Sequence, residues 1–236
     1  MKNIVITGAS SGIGEASARI LAAKGHQLCL VARNTAKLEK LRAELGERIV
    51  ICPADVKEYD EILKVNSFLK SHWKQVDVLV NNAGLGYFDK VADGKIEEWH
   101  NMFDTNVKGL LNCLHVFLPE LIASHGQVIN VGSVASHHVF VNTGVYCATK
   151  HAVFAISEAL RLELPDKIRV TTISPGSVNT PFIDVTTNPK MLEEYKDYFA
   201  GGLSPEAVAA QIGHAIEAPE NSVISEIVIR PARKVK

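Results

Sequence analysis

The sequence predicts an α/β fold, a single doubly wound three-layer domain over residues 1–236 with a seven-stranded, mainly parallel sheet. Short apolar, β-branched runs alternate with helical periods of ten or more residues. Such alternation calls for right-handed crossovers and a sheet covered on both faces. A glycine cluster marks the first run-to-helix junction. The composition, 47% apolar and 22% charged over 236 residues, is that of an ordinary globular chain with a substantial core.

Asn3-Ile4-Val5-Ile6-Thr7 reads as a strand buried on both faces. Ile13, Ala16, Ile20 and Leu21 have helical spacing within Gly12–Lys24, and Gly25 ends that helix. Strand Gln27–Ala32 precedes a charged amphipathic helix, Thr35–Leu45, closed by Gly46. Strands Arg48–Cys52 and Val76–Asn81 flank a helix over Tyr59–His72. A long helical stretch, Ile96–Ser124, carries a candidate break near Asn106. Strand Gln127–Val131, helix Tyr146–Leu164, strand Arg169–Ser174, helix Pro205–Glu217 and strand Val223–Ile229 complete the series. Pro181–Gly202 escapes the alternation. Its aromatics (Phe182, Tyr195, Tyr198, Phe199) and its place after a strand's carboxyl end predict a lid over a site, with Leu85-Gly86-Tyr87-Phe88 joining the lid to form the pocket.

A net charge of −1 gives no reason to expect nucleic acid or an anionic membrane as partner. No apolar run approaches spanning length, and a first strand beginning by Asn3 leaves no room for a signal peptide, so a cytoplasmic location is expected. Arg230, Arg233, Lys234 and Lys236 read as a solvated basic tail. Cys29, Cys52, Cys113 and Cys147 lack metal-type spacing, and His137-His138 reads as surface loop, so no metal site is expected.

Thr7-Gly8-Ala9-Ser10-Ser11-Gly12-Ile13-Gly14 joins the first strand to the first helix, the context that gives such clusters meaning. Gly8 allows the turn, Gly12 lets backbone approach a pyrophosphate, and Gly14 allows close helix–strand packing, while the helix N-terminus attracts phosphate. The spacing is G-x-x-x-G-x-G, and a purely structural turn is the alternative. After the second strand, Ala32-Arg33-Asn34 supplies no carboxylate for a ribose 2′-hydroxyl and one guanidinium for a 2′-phosphate. NADP(H) is therefore expected over NAD(H), unless Arg33 is a plain surface arginine.

Tyr146 and Lys150, spaced Y-C-A-T-K, fall on one helix face, where the ammonium should pull the phenol pKa down toward the working range of an acid/base group. Alone, Y-x-x-x-K is weak, since such pairs also occur on solvated faces. Ser133, thirteen residues upstream, and the glycine cluster make it an enzyme signature.

Together, T-G-x-x-x-G-x-G, N-N-A-G at Asn81–Gly84, Ser133, Y-x-x-x-K and Pro175-Gly176 resemble the short-chain dehydrogenase/reductase family in order and spacing over essentially the whole chain. The resemblance implies a Rossmann-type fold and hydride transfer between a nicotinamide and a carbonyl or alcohol. It places Asp55, followed by Val56, at the adenine, and Asn82, Ala83 and Gly84 beside the ribose. Val178 and Thr180, after Pro175-Gly176, fall at the nicotinamide end, with Ser10, Ser11 and Ile13 in the phosphate loop. Asn106, Ser133, Tyr146 and Lys150 match the catalytic tetrad: Ser133 orients the substrate oxygen, Tyr146 exchanges its proton, Lys150 tunes the tyrosine and bonds the ribose, and Asn106 holds a relay water. Ser136 is the weaker candidate serine. The resemblance also implies a homodimer or homotetramer, built on the helix from Tyr146 and the long helix before it; burial within one subunit is the alternative.

Two rival functions differ from a carbonyl reductase or alcohol dehydrogenase. A 3-oxoacyl-carrier-protein reductase would favour a basic docking patch, whereas Pro181–Gly202 carries Asp184, Glu193, Glu194 and Asp197 against Lys190 and Lys196. A non-catalytic NADP(H)-sensing regulator would need the glycine loop and not the tyrosine. The mildly acidic, aromatic lid suits a small neutral or apolar carbonyl compound.

Overall fold

The structure, a computed structural model, describes residues 1–232; Arg233, Lys234 and Lys236 of the expected basic tail lie outside them. Seven strands form one sheet in the order β3-β2-β1-β4-β5-β6-β7, every neighbouring pair parallel. They are β1 (Asn3–Thr7), β2 (Gln27–Ala32), β3 (Ile49–Pro53), β4 (Val78–Asn81), β5 (Gln127–Val131), β6 (Arg169–Pro175) and β7 (Glu226–Ile229). The expected "mainly parallel" sheet is thus wholly parallel. β4 and β7 begin later than their apolar runs do, because pairing, not hydropathy, sets a strand's ends.

Side chains alternate across this sheet with period two. Ile4, Ile6, Val78, Val80, Ile129 and Val131 face one side, packed by α1 (Gly12–Ala23), α2 (Thr35–Leu45) and α8 (Pro205–Glu217). Val5, Leu79 and Val128 face the other, packed by α3 (Tyr59–His72), α5 (Gly109–Ala123) and α6 (Gly144–Glu163). Both faces are buried, hence the near-continuous apolar strand sequences. Cys29, Cys52 and Cys113 belong to the second layer as small hydrophobes.

The long helical stretch is three pieces: α4 (Ile96–Phe103), a π-helical turn at Asp104–Lys108, and α5. Asn106 sits inside the π turn, which makes the break near it a widening without interruption. Single π turns of this kind cluster at functional sites. The segment after β6 is ordered as a 3-10 turn, Pro181–Val185, and a helix, α7 (Pro189–Ala200), started by Asn188, whose side chain accepts from the Lys190 and Met191 amides. No helix among the described residues is long and apolar enough to cross a membrane.

The chain lays down β1, β2 and β3 in one direction, then returns past β1 to add β4. The carboxyl ends of β1 and β4 therefore diverge at a topological switch point, where such sheets leave a crevice.

Candidate active site

A cleft of about 840 Å³ opens at that switch point. Its first wall is the β1–α1 loop. Gly8 (φ +65°) and Gly12 (φ +56°) take left-handed backbone, which residues with a Cβ adopt only under strain. A Cβ on Gly14 would come to 2.3 Å from the Gly8 carbonyl oxygen, so this glycine joins helix to loop and not helix to strand alone. Ser11 begins α1 without a side-chain cap, which leaves the helix's first amides directed at the cleft. This glycine-shaped cradle of uncapped amides fits a dinucleotide pyrophosphate.

The loop is held from behind. Thr7 is buried, its hydroxyl accepts from the Asn82 and Ala83 amides (3.0 and 3.1 Å), and Asn82 Nδ2 donates to the carbonyls of Thr7 (3.0 Å) and Gly8 (3.2 Å). Gly8, Ser10, Ser11, Gly12, Ile13, Asn82, Ala83 and Gly84 line the cleft, whereas Thr7 and Gly14 stand behind the surface and shape it.

At the far end, Arg33, Asp55 and Val56 follow β2 and β3. The Arg33 side chain is 68% exposed and its guanidinium stands 3.8 Å from the Asp55 carboxylate, too loose a pair to hold it there. Lys57, not anticipated as part of this end, is also 3.8 Å from Asp55. Neighbouring Asn34 caps α2 through the Lys37 amide (3.0 Å).

Ser133, Tyr146 and Lys150 meet on the opposite wall. Ser133 ends β5 in extended backbone and caps a short 3-10 turn, Val134–Ser136. The Ser136 hydroxyl accepts from the Ser133 amide at 3.2 Å behind the cleft, so of these two serines Ser133 lines it. Lys150 is buried, donates to the Val131 carbonyl at 2.9 Å and lies 5.9 Å from the Tyr146 ring centroid. Burial pushes its pKa down to about 8.

Tyr146 departs from the sequence expectation. Burial among apolar groups raises its pKa, only partly offset by a hydrogen bond with Ser133. Lys150, turned toward Val131, does not reverse that balance. The phenol is thus held protonated at neutral pH.

Asn106 does not line the cleft. Its Oδ1 accepts from the Leu85 amide (2.9 Å), and its Nδ2 donates to the Leu85 carbonyl (2.8 Å) and to Thr149 Oγ1 (3.0 Å). It anchors the Leu85 loop and α6 to the π turn. Gly84 lies between Asn106 and Lys150: a Cβ there would stand 3.2 Å from Asn106 Oδ1 and 3.6 Å from Lys150 Nζ.

Pro175, Gly176, Val178 and Thr180 line the cleft beyond β6. Ser177, missed from sequence although it sits within P-G-S-V-N-T, is buried on the same wall with its hydroxyl unpartnered. Phe182, Tyr195, Tyr198 and Phe199 of the segment read as a lid close over Tyr146, joined by Phe88. Ring centroids of Tyr146–Phe182 and Phe88–Tyr195 are 5.4 and 5.0 Å apart. Phe140 and Val141 also line the mouth, and Tyr195 Oη donates to the Val141 carbonyl at 3.1 Å. The run Val139-Phe140-Val141 between polar residues was the available signal. His137 lies in the turn that follows the 3-10 segment, half-buried and bonded to Glu226 at 2.6 Å, and His138 beside it is exposed.

The sequence pattern of the short chain dehydrogenase family matches residues 2–190. An uncharacterised oxidoreductase of Staphylococcus saprophyticus is 39% identical over 98% of this chain and 96% of its own. Among solved structures, an alcohol dehydrogenase of the archaeon Thermococcus sibiricus complexed with 5-hydroxy-NADP superposes with a TM-score of 0.88 at 32% identity, covering 99% of this chain and 98% of that one. The closed form of a serine dehydrogenase complexed with NADP+ reaches 0.92 at 31% identity, covering 99% and 96%. The parallel sheet, the glycine loop at its switch point and these likenesses agree: the chain belongs to the short-chain dehydrogenase family of oxidoreductases.

Proposed function

We propose that the chain interconverts a carbonyl compound and its alcohol with NADP(H), using Tyr146 as the proton donor or acceptor. The observation that carries this reading is the convergence of Ser133, Tyr146 and buried Lys150 on the cleft wall facing the glycine loop. When bound, the dinucleotide supplies or takes the hydride. Ser133 orients the substrate oxygen by a hydrogen bond, and Tyr146, kept protonated by its surroundings, gives a proton to that oxygen in reduction. Lys150 offers its ammonium to the ribose and to the charge that develops on the phenol. Asn106 acts at one remove, positioning the Leu85 loop and α6. Oxidation of NADPH by the purified protein in the presence of aldehydes or ketones, absent when the carbonyl is omitted, is the direct test. Binding of NADPH without turnover of any carbonyl would favour the non-catalytic sensor instead.

Cofactor choice rests on Arg33. A guanidinium–phosphate bond is worth about 1.5–3 kcal/mol, so NADPH should bind about 10- to 100-fold tighter than NADH. Arg33→Ala should remove most of that margin and leave NADH nearly unchanged. Ala32→Asp should reverse the order, through repulsion of the 2′-phosphate and a new acceptor for the ribose. Fluorescence titration of both nucleotides checks this, and equal weakening of both by Arg33→Ala would show that Arg33 only supports the loop.

We further expect a homodimer or homotetramer. Ala148, Ala155, Ala159 and Leu162 on α6 are exposed, as are Phe103 on α4 and Leu111 on α5. Burying these faces needs a second copy. Light scattering at micromolar concentration should give at least twice the chain mass, and a monomer would refute it.

A further inference from the structure

We infer that the substrate is a carbonyl compound free of anionic groups, with an apolar body long enough to run from Tyr146 out past the mouth of the cleft. This rests on the carbonyl–alcohol reading above and replaces the small substrate expected from sequence. The two ends of the cleft differ in kind. Its charged lining side chains among the described residues are Arg33, Asp55 and Lys150. Arg33 and Asp55 follow β2 and β3, three and four strand positions from β5 and Ser133, or about 14 and 19 Å. Neither reaches the carbonyl end, and Lys150 is buried against Val131.

Around Tyr146 the wall is aromatic and aliphatic. Phe88, Phe182, Tyr195 and Phe199 pack edge to face or tilted, 5.0 to 6.2 Å between centroids, and Ile183 and Met191 back them. The acidic and basic groups of α7 are not among the lining residues. A substrate carboxylate or phosphate would lose its water there and meet no cation but Lys150, whose ammonium is already bonded to the Val131 carbonyl.

The apolar character continues outward. Phe140, Val141, Val185 and Tyr198 line the cleft and are also exposed, Val141 at 78%, and Val139 beside them is 72% exposed. Exposed apolar side chains joined without a break to a binding cleft mark surface that a ligand covers. The rim is fixed, because Tyr195 Oη holds the Val141 carbonyl and the Asp89 amide holds that of Asn142 at 2.8 Å.

The test is a series of straight-chain aldehydes from propanal to nonanal, assayed with saturating NADPH. Burial of each added methylene is worth up to about fourfold in kcat/KM. An increase of at least about 100-fold from propanal to octanal, levelling once the chain clears the rim, is the expected result. At heptanal length, the ω-carboxylate analogue should fall at least tenfold below the neutral aldehyde. Val141→Glu, on an exposed side chain, should compress the octanal-to-propanal ratio about tenfold, and Val141→Lys should raise the ω-carboxylate analogue relative to octanal. A flat chain-length series, an ω-carboxylate analogue equal to the neutral one, or ratios unmoved by both variants would overturn the inference while leaving carbonyl reduction intact. No NADPH oxidation with any aldehyde or ketone would overturn the carbonyl reading itself.

Discussion

Tyr146→Phe should lower turnover by about two to four orders of magnitude while leaving the NADPH dissociation constant within about twofold of wild type. The estimate follows from what the substitution keeps. The ring packs between Phe88 and Phe182, with centroids 6.0 and 5.4 Å away, and a phenylalanine ring fills the same space. Only the hydroxyl is lost, and with it the proton that must reach the substrate oxygen; positioned proton transfer contributes about 10²- to 10⁴-fold. Steady-state rates and a nucleotide titration on the same preparation separate the two quantities. Activity comparable to wild type would remove Tyr146 from the mechanism.

Lys150→Met should abolish most activity and yet stabilise the fold at pH 7 by about 1–2 kcal/mol. The ammonium is buried, and the fall of its pKa from 10.5 to about 8 corresponds to about 3 kcal/mol against the charged form. Part of the gain is returned, since the Val131 carbonyl loses its donor, at about 1–2 kcal/mol. The sign with pH follows from proton counts. Between about pH 8 and 10.5 the unfolded chain holds the lysine proton and the folded chain has released it, so stability rises with pH through that window and is lost as pH falls through 8. Tyr146 limits the window from above: its folded pKa is raised, so its contribution is present below the unfolded value near 10 and is lost at higher pH. Urea unfolding of wild type and Lys150→Met across pH 7 to 10 should show the variant's lead shrinking as pH rises and the wild type overtaking it between about pH 9 and 10. A variant less stable than wild type at pH 7 would show that the Val131 hydrogen bond outweighs the buried charge.

Much of this was legible in the sequence because parallel strands buried on both faces write themselves as short apolar runs. Asn3–Thr7 and Gln127–Val131 match their strands residue for residue. The motifs placed Ser133, Tyr146 and Lys150 on one wall because each follows or faces the end of β5. What sequence could not give was distance and competition. It could not show that both Nδ2 hydrogens of Asn106 go to Leu85 and Thr149, or that Thr7 turns inward to Asn82 and Ala83. The direction of the Tyr146 shift was wrong for a related reason. Helical spacing puts an ammonium near the phenol, but the burial that outweighs it comes from Phe88 and Phe182, far away along the chain. α7 was also legible, since Met191, Leu192, Tyr195, Tyr198 and Phe199 recur at helical spacing after the start signal Asn188-Pro189, but reading the aromatics as lid surface assigns them no secondary structure.

The bonds that fix the glycine loop from behind also impose an order of events as the chain is made. Thr7 and Asn82 are 75 residues apart, and β1 acquires its second neighbour, β4, only when Asn82 is about to appear. With every pairing in the sheet parallel, no hairpin can nucleate it locally, and contacts of such separation make folding slow. A nascent chain ending before Asn82 thus has the entire G-x-x-x-G-x-G segment without the bonds from Asn82 and Ala83, held from β2 by the Ala9 amide's bond to the Val31 carbonyl. Nucleotide at cellular concentrations cannot stabilise such early fragments, and its first effect on yield should come only after β4 has been synthesised and docked.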